Sequence, residues 1–407
     1  GGFHRYSTDN TWGLPHFEKT LYDNALLLLA YKGNQRIADG IVRFIISELQ
    51  SPSGLYFSAL DADSEGEEGS YYLWTKSEID SALGPESAGF CNAIQITEEG
   101  NYLDEATHLR TGKNLISLRF GTDAATQHEQ SFEKLRQVRE NRVKPAVDDK
   151  CITGWNALVA IAFLAVNRRE LADPVLAAIE TAWSETSTLP HLLGDVRSAP
   201  GFLEDYAIAA YLCAIADKRQ IANELCNFMA DNFAEYLHGG FYSTSNSHEE
   251  LFGRAKPFTD SPIPSANSYA IRALILLGRM DEAWKHLTAL SGWMDLAPTA
   301  TEGLHLALLE FSSHGGLDKA VTLEARAQGS VCTLTFGLPA GEYIDAATLR
   351  VLTEEAAIQA KPDKLEGVAQ ITLHVPKGVS TVEIEYIRCN ESVCFAPEQR
   401  AVTLSFD

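Results

Sequence analysis

The chain has 407 residues, with 33 lysines and arginines against 55 aspartates and glutamates, a net charge of −22. A surface this acidic repels phosphate backbones and argues against nucleic acid as a partner; no apolar run reaches membrane-spanning length, Ala157–Val166 being too short. An apolar fraction of 45% with 22% charged residues is ordinary for a globular protein, and the length suffices for two or three domains.

The first stretch runs from Gly1-Gly2-Phe3-His4-Arg5-Tyr6-Ser7 through Trp12 to Leu29. Its two glycines permit turn geometry, and Pro15 suits the first turn of a helix. Leu21–Tyr31 is apolar all round, as an inner helix is. If the helix already holds at Pro15, then His16, Thr20 and Asp23 share one stripe, and polar groups at the mouth of a buried helix point to a cavity. The chain opens at a glycine within a motif and reads as a fragment or processed chain, so the lack of a visible signal peptide decides nothing; a cytoplasmic setting is favoured.

A second helix is expected over Asn34–Gln50, ending at the breaker Ser51-Pro52-Ser53-Gly54. The opening device then recurs at Gly54-Leu55-Tyr56-Phe57-Ser58 and again at Gly239-Gly240-Phe241-Tyr242-Ser243. The first two copies are 52 residues apart, a repeat that fits a helical hairpin with its loop. Residues 66–150 interrupt the pattern with a strand at Gly69–Thr75, short helices over Lys76–Leu83 and Gln130–Glu140, and irregular chain over Gly84–Thr122. Paired helices resume over Thr153–Asn167, Glu170–Glu185, Phe202–Ala216, Gln220–Tyr236, Ser265–Leu277, Met280–Leu290 and Thr299–Ser312. Near Asp318 the pattern changes to alternating strands, among them Val331–Phe336, Gln370–Val375, Thr381–Ile387 and Ala401–Phe406, as in a small β-sandwich. The expected domains are thus 1–318 and 319–407. About eleven helices in hairpins point to a mainly α protein with an (α/α)6 toroid, lacking its first helices, followed by a β-domain.

Cys91, Cys151, Cys213, Cys226 and Cys332 are scattered, in the manner of free thiols. Cys389 and Cys394 follow a strand in a turn closed by Pro397, and the spacing predicts Cα atoms within about 7 Å and a disulfide without reductant.

Several motifs, in order, carry a resemblance. They are Gly2–Ser7, Pro15–Lys19, Leu21–Ala25, Ala59-Leu60-Asp61-Ala62-Asp63-Ser64-Glu65-Gly66, Asp148-Asp149-Lys150 with Thr153, Trp155 and Asn156, Glu204–Ala207, His248-Glu249-Glu250-Leu251, and Asp260 with Pro264, Ser265, Asn267 and Ser268. Together they resemble the thioredoxin-domain-containing family of spermatogenesis-associated protein 20. The resemblance implies a six-hairpin, glycosidase-like toroid related to the N-acylglucosamine epimerase fold, with a thioredoxin-like domain N-terminal to it. Ala157 and Ala266 stand where glycines are usual, and Gly154 where serine is. The C-terminal strands with Cys389 and Cys394 resemble the N-terminal domain of thiol:disulfide interchange reductases.

The catalytic candidates are His16, Asp61, Asp63, Asp149, Asp205 and Asp260. His16 suits acid–base work or a structural hydrogen bond. Asp61 and Asp63, with Glu65, form a carboxylate cluster for acid–base or metal chemistry, or a solvated turn. Asp149 beside Lys150 is an ion pair or a helix cap, and Glu204 and Asp205 open a helix, where carboxylates stabilise the terminus anyway. His4, Tyr6, Asp23, Lys150, Trp155, Asn156, Glu204, Tyr206, Ser265 and Asn267 are the substrate-binding candidates, and Cys389 and Cys394 the redox pair. His248-Glu249-Glu250 lacks the second histidine of a zinc helix, so no metal or cofactor is expected. Three classes stay open: a carbohydrate-active enzyme that hydrolyses or epimerises a sugar or glycan, a thiol-redox partner with the toroid as scaffold, and a sugar-binding module. Under the first, the helix starts converge on one acidic, aromatic pocket holding a carboxylate of raised pKa.

Overall fold

The structure, a computed structural model, describes residues 1–407 apart from 105–106, 108, 118–125, 196, 237–238, 250–251, 315–321, 339–341, 390–393 and 407. Two compact units make up the chain, Gly1–Ala216 and Asp217–Asp407. The change of pattern expected at 318–319 lies outside the described residues, as do Glu250 and Leu251 of the motif at His248.

In the first unit, α1 (Leu21–Ala30) is followed by α2 (Gln35–Phe44), which runs on as a wider π-type turn over Ile45–Leu49. Helix α1 does not begin at Pro15. Its N-cap is Thr20, whose hydroxyl accepts from the Asp23 backbone N–H and donates to Asp23 Oδ2 at 2.6 Å. That cap fixes the start more firmly than a proline several residues earlier. The residues ahead of it are extended: His16 N donates to Tyr6 O and Arg5 N to Glu18 O. The stripe of His16, Thr20 and Asp23 along one helix is therefore replaced by a hairpin that carries His16.

Strand β1 (Lys19–Thr20) pairs antiparallel with β2 (Ala59–Leu60), and β2 with β7 (Val147–Asp148). Between them lie two small hairpin pairs, β3 (Asp63–Ser64) with β4 (Glu67–Glu68) and β5 (Trp74–Thr75) with β6 (Lys113–Asn114). Helices α3 (Lys76–Leu83), α4 (Ser87–Ile94) and α5 (Glu129–Arg139) share a small core of Trp74, Ile79, Leu83, Phe90, Ile94 and Leu135. A capping box of Thr75 and Glu78 starts α3. Helix α4 falls where irregular chain was expected: Gly84-Pro85 breaks α3 but then makes a 3-10 turn that leads straight into it.

Helices α6 (Thr153–Ala165) and α8 (Leu203–Ile215) are buried nearly all round, whereas α7 (Arg169–Thr186) buries one stripe through Ala172, Val175, Leu176, Ile179 and Trp183. α1 packs on α6, and α6 on both α7 and α8.

The second unit begins with α9 (Arg219–Asn232), α10 (Ala266–Leu276), α11 (Met280–Leu296) and α12 (Glu302–Ser313). Its inner helix, α10, packs on α11 and α12. Strands β8 (Thr322–Gln328) to β17 (Ser405–Phe406) follow. One sheet has β12 (Ala357–Ala360), β14 (Val368–His374), β9 (Val331–Gly337), β8 and β17 in that order. In the other, β15 (Thr381–Cys389) has β16 (Cys394–Thr403) on one edge and both β10 (Tyr343–Asp345) and β11 (Arg350–Val351) paired to it, with β13 (Lys364–Glu366) beyond β10. Alternate residues of both sheets, such as Leu334 and Phe336 against Ile384 and Tyr386, form one apolar layer. Cys389 and Cys394 face each other across β15 and β16 with Cα atoms 3.9 Å apart, joined by a disulfide. No helix among the described residues is long and apolar enough to cross a membrane.

The three glycine–aromatic loops are one device used three times. Gly2, Gly54 and Gly240 all have positive φ, at 71°, 83° and 77°. A buried asparagine near the start of an inner helix then grips the backbone just beyond the glycine. On α1, Asn24 accepts from Phe3 N at 2.8 Å and donates to Phe3 O at 3.1 Å; on α10, Asn267 makes the same pair with Phe241 at 2.8 and 3.0 Å. Asn156 on α6 holds Tyr56 in the same way.

Candidate functional site

In the first unit the N-terminal turns of α1, α6 and α8 lie side by side. Tyr22, the second residue of α1, meets Trp155, the third of α6, edge to face at 4.6 Å. Asp205, the third of α8, receives Gly154 N of α6 at 2.8 Å on Oδ1 and Phe202 N at 2.9 Å on Oδ2. Helix starts leave N–H groups without intrahelical partners, and this one carboxylate satisfies donors from two of them.

Asp205 also holds a histidine. His191 Nδ1 lies 2.9 Å from Asp205 Oδ2, and this hydrogen bond raises the imidazole pKa above its ordinary value. With Nδ1–H on the carboxylate, His191 presents Nε2 as the free basic nitrogen. Next to Asp205, burial pushes the Glu204 carboxyl up to about 7, the neighbouring Asp205 charge adds to this, and His191 and a hydrogen bond from Trp155 oppose it. The backbone of Gly154 passes so close that a Cβ there would sit 3.3 Å from Asp205 Oδ1 and 3.4 Å from Glu204 Oε1. An acid raised toward neutrality and an oriented base thus meet at the start of α8.

A second arm of the cluster extends from Tyr22. The Arg5 guanidinium lies 5.7 Å from the Tyr22 ring and 6.0 Å from the Tyr6 ring, and it pairs with Glu18 at 3.1 Å. Asp23 Oδ2 is 3.9 Å from Arg5, and burial raises its carboxyl pKa against the pull of Thr20 and Arg5. Tyr6, half exposed, stacks on His16 at 4.8 Å, and His16 Nε2 stands 3.9 Å from Glu68 Oε1. His16 Nδ1 is buried without a hydrogen-bond partner among the described residues. Contact by contact, the line runs from His16 through Tyr6, Arg5, Tyr22, Trp155 and Glu204 to Asp205 and His191.

The other predicted residues have partners or settings of their own. His4 is turned into the fold, with Nδ1 2.9 Å from Phe17 O, and burial pushes its pKa down to about 3. Asp61 and Asp63 are exposed, and Asp61 Oδ1 accepts from Asp63 N at 3.3 Å. Asp149 is exposed; Lys150 pairs with Asp148, not Asp149, at 2.8 Å, and the N-cap of α6 is Ile152. Asn156 and Tyr206 are buried, the Tyr206 hydroxyl accepting from Leu189 N at 2.9 Å. In the second unit, Asp260 repeats the role of Asp205: Ser265 N donates to its Oδ1 at 2.7 Å and Gly303 N to its Oδ2 at 2.8 Å, tying the starts of α10 and α12. Ser265 and Asn267 are buried and donate to Pro257 O at 2.7 and 2.8 Å. No group of three or more His, Cys, Asp or Glu able to hold a metal occurs among the described residues.

His191 and Arg5 were absent from the predicted site. The one sequence signal for His191 is its proline: Pro190-His191 repeats Pro15-His16, each ahead of an inner helix.

No protein-family model matches the chain. Its homologues at about 30% identity are spermatogenesis-associated protein 20 from human and mouse: 30% identity over 75% of this chain and 48% of the human protein, and 29% over 74% and 47% for the mouse protein. The chain spans about half the length of these curated relatives. Among solved structures it is similar to D-mannose isomerase (TM-score 0.34, 13% identity, 72% of this chain and 78% of that one). It is also similar to the GH63 mannosylglycerate hydrolase of Thermus thermophilus (TM-score 0.33, 11% identity, 73% and 93%). The C-terminal part is similar to the N-terminal domain of Neisseria meningitidis DsbD (TM-score 0.19, 17% identity, 22% and 87%).

Proposed function

We propose that the first unit transfers protons on a small polyhydroxylated substrate, a sugar, with Glu204 as general acid and His191 as general base. The observation that carries this reading is the Glu204 carboxyl at about 7 beside a histidine oriented by Asp205. A carboxyl poised near neutrality can give a proton to a carbonyl oxygen while an imidazole takes one from the adjacent carbon, which is the chemistry of sugar isomerisation and epimerisation. Asp205 acts through His191 as its positioning residue. Tyr22 and Trp155 offer ring edges and faces to a sugar, and His16 with Tyr6 is assigned the far end of the substrate. For the helices this reading takes the six-hairpin (α/α) toroid, supported by the side-by-side starts of α1, α6 and α8.

The test is turnover by the intact chain across aldoses, ketoses and N-acylated amino sugars, beside Glu204→Gln and His191→Asn. Interconversion lost in both variants supports the reading. Release of reducing sugar from oligosaccharides without interconversion would replace it with hydrolysis, and saturable binding without turnover would replace it with a sugar-binding module.

A thiol–disulfide role for Cys389 and Cys394 is a second reading, favoured by the bond between them and the exposure of Cys394. Reduction of an insulin-type disulfide by the reduced chain, absent after Cys394→Ser, tests it.

A further inference from the structure

The first unit holds an unassigned cavity of about 710 Å³ whose charge is opposite to that of the whole chain. Its walls include Lys19, Arg43 and Arg139 together with Phe44, Tyr71 and Tyr72. The volume lies in the range of small-molecule sites. Five cationic side chains line it, Arg136 and Lys144 being the other two, against the carboxylates of Glu48, Glu133 and Glu140. A local excess of two positive charges runs against the net charge of −22 of the whole chain.

The carboxylates are already engaged. Glu48 pairs with Lys144 at 2.8 Å, Glu133 with Arg136 at 2.6 Å, and Glu140 also with Arg136. Lys19, Arg43 and Arg139 make no ion pair among the described residues. Lys19 is 8% exposed; its Nζ donates to Gly1 O at 3.2 Å and lies 4.9 Å from the Phe44 ring and 5.3 Å from the Tyr72 ring. Arg139 stands 5.3 Å from the Tyr71 ring and 5.4 Å from the Tyr72 ring, and its Nε is buried without a hydrogen-bond partner among the described residues. A buried lysine and a buried guanidinium N–H are costly to leave without an anion. In keeping with this, burial and then the nearby Arg139 charge lower the Lys19 pKa to about 7.

We propose that this cavity is a binding site for a phosphate group, with Lys19, Arg43 and Arg139 on its oxygens and the aromatic walls against the organic part of a small phosphate monoester. With Lys19 protonated on binding, two surplus cationic charges match a dianion, and a guanidinium presents the paired donors that phosphate oxygens accept. This site is separate from the acid–base cluster and does not depend on its assignment.

The test is calorimetric titration of the intact chain at fixed ionic strength with inorganic phosphate, glucose 6-phosphate and glucose. The expected result is saturable binding of both phosphates and none of glucose in this cavity, with affinity falling about tenfold or more in Arg139→Gln and Lys19→Met. Arg43 is exposed, so Arg43→Gln keeps the fold if the buried variants do not, and a fall of about threefold or more is expected there. Tighter binding of the ester assigns the aromatic walls to its organic part, and equal binding assigns the site to free phosphate. No binding of either phosphate at about 10 mM, about ten times a millimolar dissociation constant, overturns the proposal. So does binding that is unchanged in Arg139→Gln and Arg43→Gln.

Discussion

Asn156 and Tyr56, 100 residues apart in the chain, exchange two hydrogen bonds: Tyr56 N donates to Asn156 Oδ1 at 2.8 Å, and Asn156 Nδ2 donates to Tyr56 O at 2.9 Å. The amide completes its set with Ile152 O at 3.0 Å and is fully buried. One side chain thus closes a glycine–aromatic loop onto an inner helix without strand pairing. Asn156→Ala leaves a buried N–H and a buried C=O unsatisfied, so it should destabilise the first unit by about 2–4 kcal/mol. Urea denaturation measures this, and a change under about 0.5 kcal/mol, the range of inert surface substitutions, would mean that the loop stands without its clamp.

The Glu204 carboxyl should titrate near 7 in the folded chain, against an ordinary value of 4.5. The folded state then holds a proton that the unfolded state has lost, so stability falls as pH rises from about 4.5 to about 7. Glu204→Gln removes that fall, and above pH 7 it should be the more stable protein by at least about 1 kcal/mol. Denaturation midpoints at pH 5 and 8 measure the difference; equal slopes for both proteins would remove the raised pKa from the account.

For His191 the direction is the same, although here the form favoured by folding is the cation. Its folded pKa is raised above 6.5 by Asp205. The pair's contribution is therefore fully present below pH about 6.5 and is lost as pH rises through the folded value. Proton NMR titration of the His191 ring should give a pKa above 6.5 that returns toward or below it in Asp205→Asn. A ring that titrates alike in both proteins contradicts the positioning role of Asp205.

Reducing the Cys389–Cys394 bond opens a short loop between adjacent strands. Loop-closure entropy for so few residues amounts to about 2 kcal/mol. Thermal melting with and without reductant should show a loss of that size in the wild type and none in the double serine variant.

The helices and strands were legible because periodicity is local: α6, α7 and α8 follow from apolar spacing, and β9 and β15 from alternation. So were the loops, since glycine and aromatic residues recur in the same order. What escaped depends on partners distant in sequence. Asn156 and Asn267 looked like substrate ligands because polar residues at an inner helix start point to a cavity, yet their amides close on loop backbone. Lys150 is next to Asp149 and two residues from Asp148, and the sequence does not show that its ammonium meets Asp148. His191 lies in a loop without periodicity, so nothing but Pro190 marks it. Helix α4 hid behind Gly84-Pro85, which reads as a stop and acts as a corner.

The central assignment, acid and base at the start of α8, is tested most directly by solvent deuterium. Aldoses and ketoses incubated with the intact chain in D2O should gain deuterium at the carbon next to the carbonyl. The rate should fall about a hundredfold or more in both Glu204→Gln and His191→Asn, the usual weight of one acid–base group. No deuterium gain by any of these sugars, or a gain undiminished in both variants, would contradict it.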